Sequence, residues 1–180
     1  MAMNAVAKGA RLEEWFRSNG GYLNPSVNVA YSDTAGYHVR SHPSSVSPWQ
    51  ANAHIPSGAR ITTVPHSLAL CHLNALVDGA FPVFRERRHD FAVENLAFFY
   101  LMSQYLHRAR SFWQPYLDTL PAPDAAHTTP LWFDAAEDRA WLEGTDVLHT
   151  MLGRREVYER YYQIGLRILQ SAGMDVAPYT

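Results

Sequence analysis

Past a short N-terminal helical stretch, the apolar residues of this chain change their period near Pro65, and that change commits the chain to strands before it and helices after it. Before it, Val27, Val29 and Tyr31 alternate with Asn28, Ala30 and Ser32, the two-residue period of a half-buried strand. Gly36-Tyr37-His38-Val39-Arg40 returns as the hairpin partner of that strand. Ser41 to Ala53, with Pro43 and Pro48, reads as a loop, and the turn Ile55-Pro56-Ser57-Gly58 leads into a strand from Ala59 to Val64 that Pro65 ends. Beyond Pro65 the spacing of Leu68, Leu70, Leu73, Leu76 and Val77 predicts one helix, and Phe91 to His107 predicts a second, more apolar one with Asp90 as its N-cap. Asp134 and Glu137 have the spacing of a capping box, so a short helix is expected to reach Leu142 and stop near Gly144. A last long helix follows from about Val147 to Gly173. Ahead of the strands, Leu12, Trp15 and Phe16 mark one face of a helix that Asn19-Gly20-Gly21 ends. The expected class is α+β in a single domain over 1–180, β-rich over about 10–65 and helical over about 66–173, since no repeat or linker divides it.

Composition narrows the partners. With 180 residues the chain can bury roughly 70% of the surface its unfolded form exposes. Its net charge of −2 and lack of a basic stripe argue against nucleic acid, and the cluster Arg85, Arg87, Arg88 reads as a solvated loop. No run of about 18 apolar residues exists to span a bilayer. Lys8 is the sole lysine and lies in the N-terminal tail, which leaves Schiff-base chemistry little to work with. A single cysteine, Cys71, precludes an internal disulfide and agrees with a reducing cytoplasmic compartment, and its apolar helical context reads as a core thiol. The nine histidines are scattered, and neither His38/His42 nor His66/His72 has the spacing of a zinc site, so no metal is expected.

Two blocks carry a resemblance. Ser111-Phe112-Trp113-Gln114-Pro115-Tyr116-Leu117-Asp118-Thr119-Leu120-Pro121 is similar to a signature of the helical insert in SET-domain proteins of the Rubisco-methyltransferase-like group, closest to fungal members. Glu137-Asp138-Arg139-Ala140-Trp141-Leu142-Glu143-Gly144-Thr145-Asp146, preceded by Pro130-Leu131-Trp132-Phe133, resembles that group's next block at the expected distance. Ile55 to Leu68 resembles its glycine turn, strand and proline, so the likeness covers about residues 12–170. It implies a small SET-type β region followed by a helical insert, with the C-terminal SET half, its asparagine-histidine motif and its tyrosine absent. It also implies a Gly-x-Gly turn facing S-adenosylmethionine, but the stretch here is Thr34-Ala35-Gly36, so Gly36 is the vestige of that turn and one glycine is lost.

Methyl transfer needs donor and acceptor held in one geometry, and a single wall of the site does not supply it. The expectation is therefore a SET-derived protein that has lost methyl transfer, uses no cofactor, and binds a small hydrophobic molecule, as a cyclase or isomerase of fungal secondary metabolism. Tyr31, Tyr37, His38 and Arg40 are the candidate catalytic residues, since histidine and tyrosine suit proton transfer and arginine stabilises developing negative charge. Tyr22 and Trp49 are the candidate substrate-binding residues. Two alternatives stay open: a non-catalytic interaction module or homodimer completing the sheet, and a fragment of an S-adenosylmethionine-dependent protein-lysine methyltransferase.

Overall fold

The computed structural model describes residues 2–42, 55–121 and 139–180, and its class is α+β. The predicted Ser41–Ala53 loop beyond His42 and the Asp134/Glu137 capping box lie outside the described residues. Two compact units interleave along the chain, one formed by Met1–Leu70 with His107–Pro121, the other by Cys71–Leu106 with Ala122–Thr180.

The first unit is built on α1 (Ala2–Ser18), an alanine-rich stretch whose end is fixed by backbone geometry. Gly20 takes φ +84°, its N–H donates to the Arg17 carbonyl at 3.2 Å, and the Gly21 N–H donates to Phe16 at 2.9 Å. These paired bonds form a Schellman cap, and glycine enters the left-handed region without penalty from a Cβ. Behind α1, β1 (Tyr22–Leu23) pairs antiparallel with β4 (Thr62–Thr63), and β2 (Val27–Ser32) pairs with β3 (Gly36–Ser41) in the expected hairpin. The Ala59–Val64 strand is thus realised over only two residues. Asn24 ties the two small sheets together: its amide donates to the Arg60 carbonyl at 3.0 Å, its Oδ1 accepts from the Ser26 N–H at 2.9 Å, and its backbone N–H donates to Ile61 at 2.8 Å. Leu23 and Val27 on either side of it are buried. Gly36 closes the hairpin at φ +63°, and a Cβ there would meet nothing within 4 Å. A Gly36→Ala variant should therefore lose about 1 kcal/mol through backbone strain alone, read as a small shift in a urea melt.

Leu68 to Val77 does not form one helix. A 3₁₀ turn (His66–Leu68) is followed, in the second unit, by the single turn α2 (His72–Ala75), and the chain then bends where the Asp78 carboxylate accepts from the Ala80 N–H at 2.8 Å. Short side-chain to backbone bonds of this kind compete with helix continuation. In the second unit, α3 (Pro82–Glu86) precedes α4 (Val93–Leu106), which begins later than predicted; Asp90 stands ahead of it, ion-paired to Arg87 at 3.7 Å. Helix α4 buries Asn95, Leu96, Phe99, Tyr100, Ser103 and Gln104, one face at a spacing of three to four residues. Its buried polar groups are bonded: Asn95 donates to the Tyr161 carbonyl at 3.0 Å, Ser103 shares a 2.7 Å bond with the Tyr179 hydroxyl, and Gln104 donates to Asp78 at 2.7 Å. The first unit's short α5 (Gln114–Leu117) buries Leu117, and its neighbour Trp113 donates from its ring to the Leu68 carbonyl at 3.2 Å. The last helix, α6 (Asp146–Ser171), matches its expected span, opens on Thr145 as N-cap, and ends at Gly173 with φ +80°. Packing of α4 on α6 depends on Gly165, over which the Phe99 ring sits.

Candidate functional site

The β2–β3 register sorts the candidate residues. Tyr31 faces Tyr37 across the hairpin and Val29 faces Val39, so these four share one side, while His38 opposite Ala30 and Arg40 opposite Asn28 share the other. The tyrosine side packs against α1. A Cβ on Gly9 would stand 3.6 Å from Val29 and 3.7 Å from the Tyr37 ring, and the Tyr37 hydroxyl donates to the Ala5 carbonyl at 3.1 Å. The Tyr31 and Tyr37 rings are 5.0 Å apart. Burial, then the neighbouring Tyr31 and Asp118, raise the Tyr37 phenol above the ordinary tyrosine range, so near neutral pH it is a hydrogen-bond donor. On the opposite side, His38 Nδ1 lies 3.0 Å from the Gly36 carbonyl. A carbonyl only accepts, so Nδ1 carries the proton and Nε2 is the acceptor of the neutral ring. Asn28 Oδ1 on this side is buried without a hydrogen-bond partner.

The hairpin therefore brings Tyr31 to Tyr37 and His38 to the side of Arg40, but it does not gather all four on one surface. Tyr22 belongs to the other sheet, opposite Thr63, and is exposed. Trp49 lies outside the described residues.

The first unit also contains a cavity of about 370 Å³. It is walled by Leu12, Glu13, Trp15 and Phe16 of α1, Leu23 of β1, Val29 and Val39 of the hairpin, Thr62 and Val64, the Leu68–Leu70 segment and Tyr116 of α5. The α1 face has a local signature in the spacing of Leu12, Trp15 and Phe16, and Val29, Val39, Val64, Leu68 and Leu70 fall in elements whose periods the sequence shows. Glu13, Thr62 and Tyr116 come together through tertiary contacts that no short-range period encodes. Glu13 is fixed at the wall by the Val29 N–H, which donates to its carboxylate. Its other oxygen lies 3.7 Å from Arg17, whose shorter bond, at 3.0 Å, goes to the Leu23 carbonyl.

Among the described residues no group of histidine, cysteine and carboxylate side chains is placed to hold a metal ion, and no helix is long and apolar enough to cross a membrane. The architecture is thus a mixed α+β chain carrying a two-sided hairpin and an apolar cavity. No family model matches it. It is similar to the actin-histidine N-methyltransferase of Papio anubis, 29% identical over 109 residues, which is 60% of this chain and 18% of that protein. The proteins of the same name from Homo sapiens and Mus musculus are 31% identical over 111 residues, again 60% of this chain and 18% of theirs. The chain therefore matches less than a fifth of the length of these relatives.

Proposed function

We propose that this chain is part of a SET-like methyltransferase that uses S-adenosylmethionine. The observation that carries this reading is the similarity over 60% of the chain to proteins named for N-methyl transfer, in agreement with the methyltransferase signatures at Ser111–Pro121 and Glu137–Asp146. Those relatives are mammalian actin-histidine N-methyltransferases, so they lend no support to a fungal origin or to the Rubisco-methyltransferase-like group. Cyclase or isomerase chemistry has less support, because Tyr31 and Tyr37 stand on one side of the hairpin and His38 and Arg40 on the other.

The residues at the glycine turn suit approach by a methyl donor. Beyond the Gly36 Cα there is open space, and Ala35, Thr34 and Asp33 beside it are exposed. His38 holds the Gly36 carbonyl and so stiffens the turn from one side. When bound, S-adenosylmethionine supplies an activated methyl group. This chain would contribute one flank of the site, and the acceptor class proposed is a side-chain nitrogen.

Titration calorimetry with S-adenosylmethionine and S-adenosylhomocysteine tests the reading. Saturable binding is expected, weakened about tenfold by Gly36→Ala, whose new methyl group would occupy the space the ligand needs. Absence of heat at millimolar ligand, with circular dichroism unchanged, would sink it.

A further inference from the structure

We propose that the cavity of the first unit binds a small apolar cation, a quaternary or tertiary alkylammonium group, with Glu13 as its counter-ion. The volume of about 370 Å³ falls in the range of small-ligand sites. Its wall is aliphatic except for three aromatic rings, Trp15, Phe16 and Tyr116, and for Glu13 and Thr62. Among the described residues no lysine, arginine or histidine lines it, and the charged group among them is negative.

That combination selects among ligand classes. An anion would meet a carboxylate and the electron-rich faces of aromatic rings, with only the neutral donors of Thr62, Trp15 and Tyr116 to offset them. A bare metal ion asks for about four to eight nitrogen, oxygen or sulfur ligands, and Glu13 and Thr62 are too few side chains to supply them. A primary ammonium carries three N–H donors that all need acceptors once buried. A cation clothed in methyl groups has no such demand; its diffuse charge is attracted to ring faces and to a carboxylate, and its surface suits Leu23, Val29 and Leu68. The Glu13 carboxylate stands at the wall of the cavity. The Val29 N–H positions it, and Arg17, 44% exposed and 3.7 Å away, forms only a screened surface pair.

The reading goes beyond methyl transfer and does not depend on it. Choline and 3,3-dimethyl-1-butanol have nearly the same shape and differ in charge, so the pair separates a cation site from a merely apolar one. Saturation-transfer NMR and calorimetry should show choline binding at least tenfold more tightly than the alcohol. Glu13→Gln, which keeps an acceptor for the Val29 N–H, should cut choline affinity about tenfold. Val39→Lys puts a cation at a cavity position that is 51% exposed, so it should spare the fold while abolishing choline binding. Equal binding of the two probes would overturn the proposal. So would choline binding that neither variant changes, or no saturable choline binding by the natural chain with native circular dichroism.

Discussion

Replacing Gly165 with alanine is expected to lower the stability of the second unit by about 3 kcal/mol, although glycine is among the poorest helix formers. An added Cβ would stand 2.0 Å from Phe99 Cε2 and 2.6 Å from Cδ2 and Cζ, far inside van der Waals contact. The ring has nowhere to go. Phe99 is 1% exposed, stacked on Tyr162 at 5.9 Å and flanked by Phe91 and Tyr179 at 6.1 and 6.0 Å. Alanine's helix propensity returns about 1 kcal/mol, which the overpacking exceeds. Urea unfolding of Gly165→Ala, Phe99→Leu and the double variant checks this as a cycle. Leucine at 99 vacates the clashing atoms, so the double variant should lose clearly less than the two single losses added together. A Gly165→Ala variant as stable as the natural chain would show that α4 and α6 can part without loss.

How far the sequence alone reaches is clearest at the hairpin and at α4. The alternation of Val27, Val29 and Tyr31 marks β2 and Gly36-Tyr37-His38-Val39-Arg40 marks its partner, whereas the register, Tyr31 opposite Tyr37, comes from the structure; a one-residue slip would turn every side chain to the other face. The same alternation already separates Tyr31 and Tyr37 from His38 and Arg40. The four are therefore not one site: a strand's two-residue period places neighbours in sequence on opposite faces. In α4 the helix was evident from its apolar richness, but the buried face was not. Phe98, Val93 and Leu106 are exposed, whereas Asn95, Ser103 and Gln104 are buried on hydrogen bonds to residues far along the chain. Burial of polar groups depends on partners, and partners are a tertiary property. The break between Leu68 and Val77 escaped for a related reason. Leucine spacing there is helical, but the backbone is extended at Ala69 and Cys71, and past α2 Asp78 captures the Ala80 N–H and draws Tyr100 and Gln104 to itself, which keeps the helix from continuing. The cavity shows the same limit, since its charged group, Glu13, acquires meaning only once Val29 and Tyr116 are beside it.

Removal of the Asp78 carboxylate is expected to have the larger effect of the two, about 4 kcal/mol for Asp78→Ala against about 1.5 kcal/mol for Tyr100→Phe. Asp78 Oδ2 accepts from the Tyr100 hydroxyl at 2.8 Å and from Gln104 Nε2 at 2.7 Å, and Oδ1 accepts from the Ala80 N–H. Tyr100 and Gln104 are both buried, so the alanine variant strands two donors that cannot turn to water. Tyr100→Phe removes one donor and leaves the carboxylate with two. The pH dependence supplies an independent check. Burial first, then the hydrogen bond to Asp78 and its charge, raise the Tyr100 phenol above the ordinary tyrosine value of 10. The folded state therefore holds this proton at pH values where the unfolded chain has released it. Stability from this source is complete below about pH 10 and falls as pH rises above it, by about 1.4 kcal/mol per pH unit. Urea midpoints measured between pH 9 and 12 should fall more steeply for the natural chain than for Tyr100→Phe, since Tyr37 and Tyr179 keep their raised values in both. Parallel profiles would mean that Tyr100 ionises as freely in the folded chain as in the unfolded one, and the Asp78 carboxylate would then not be the anchor of α4.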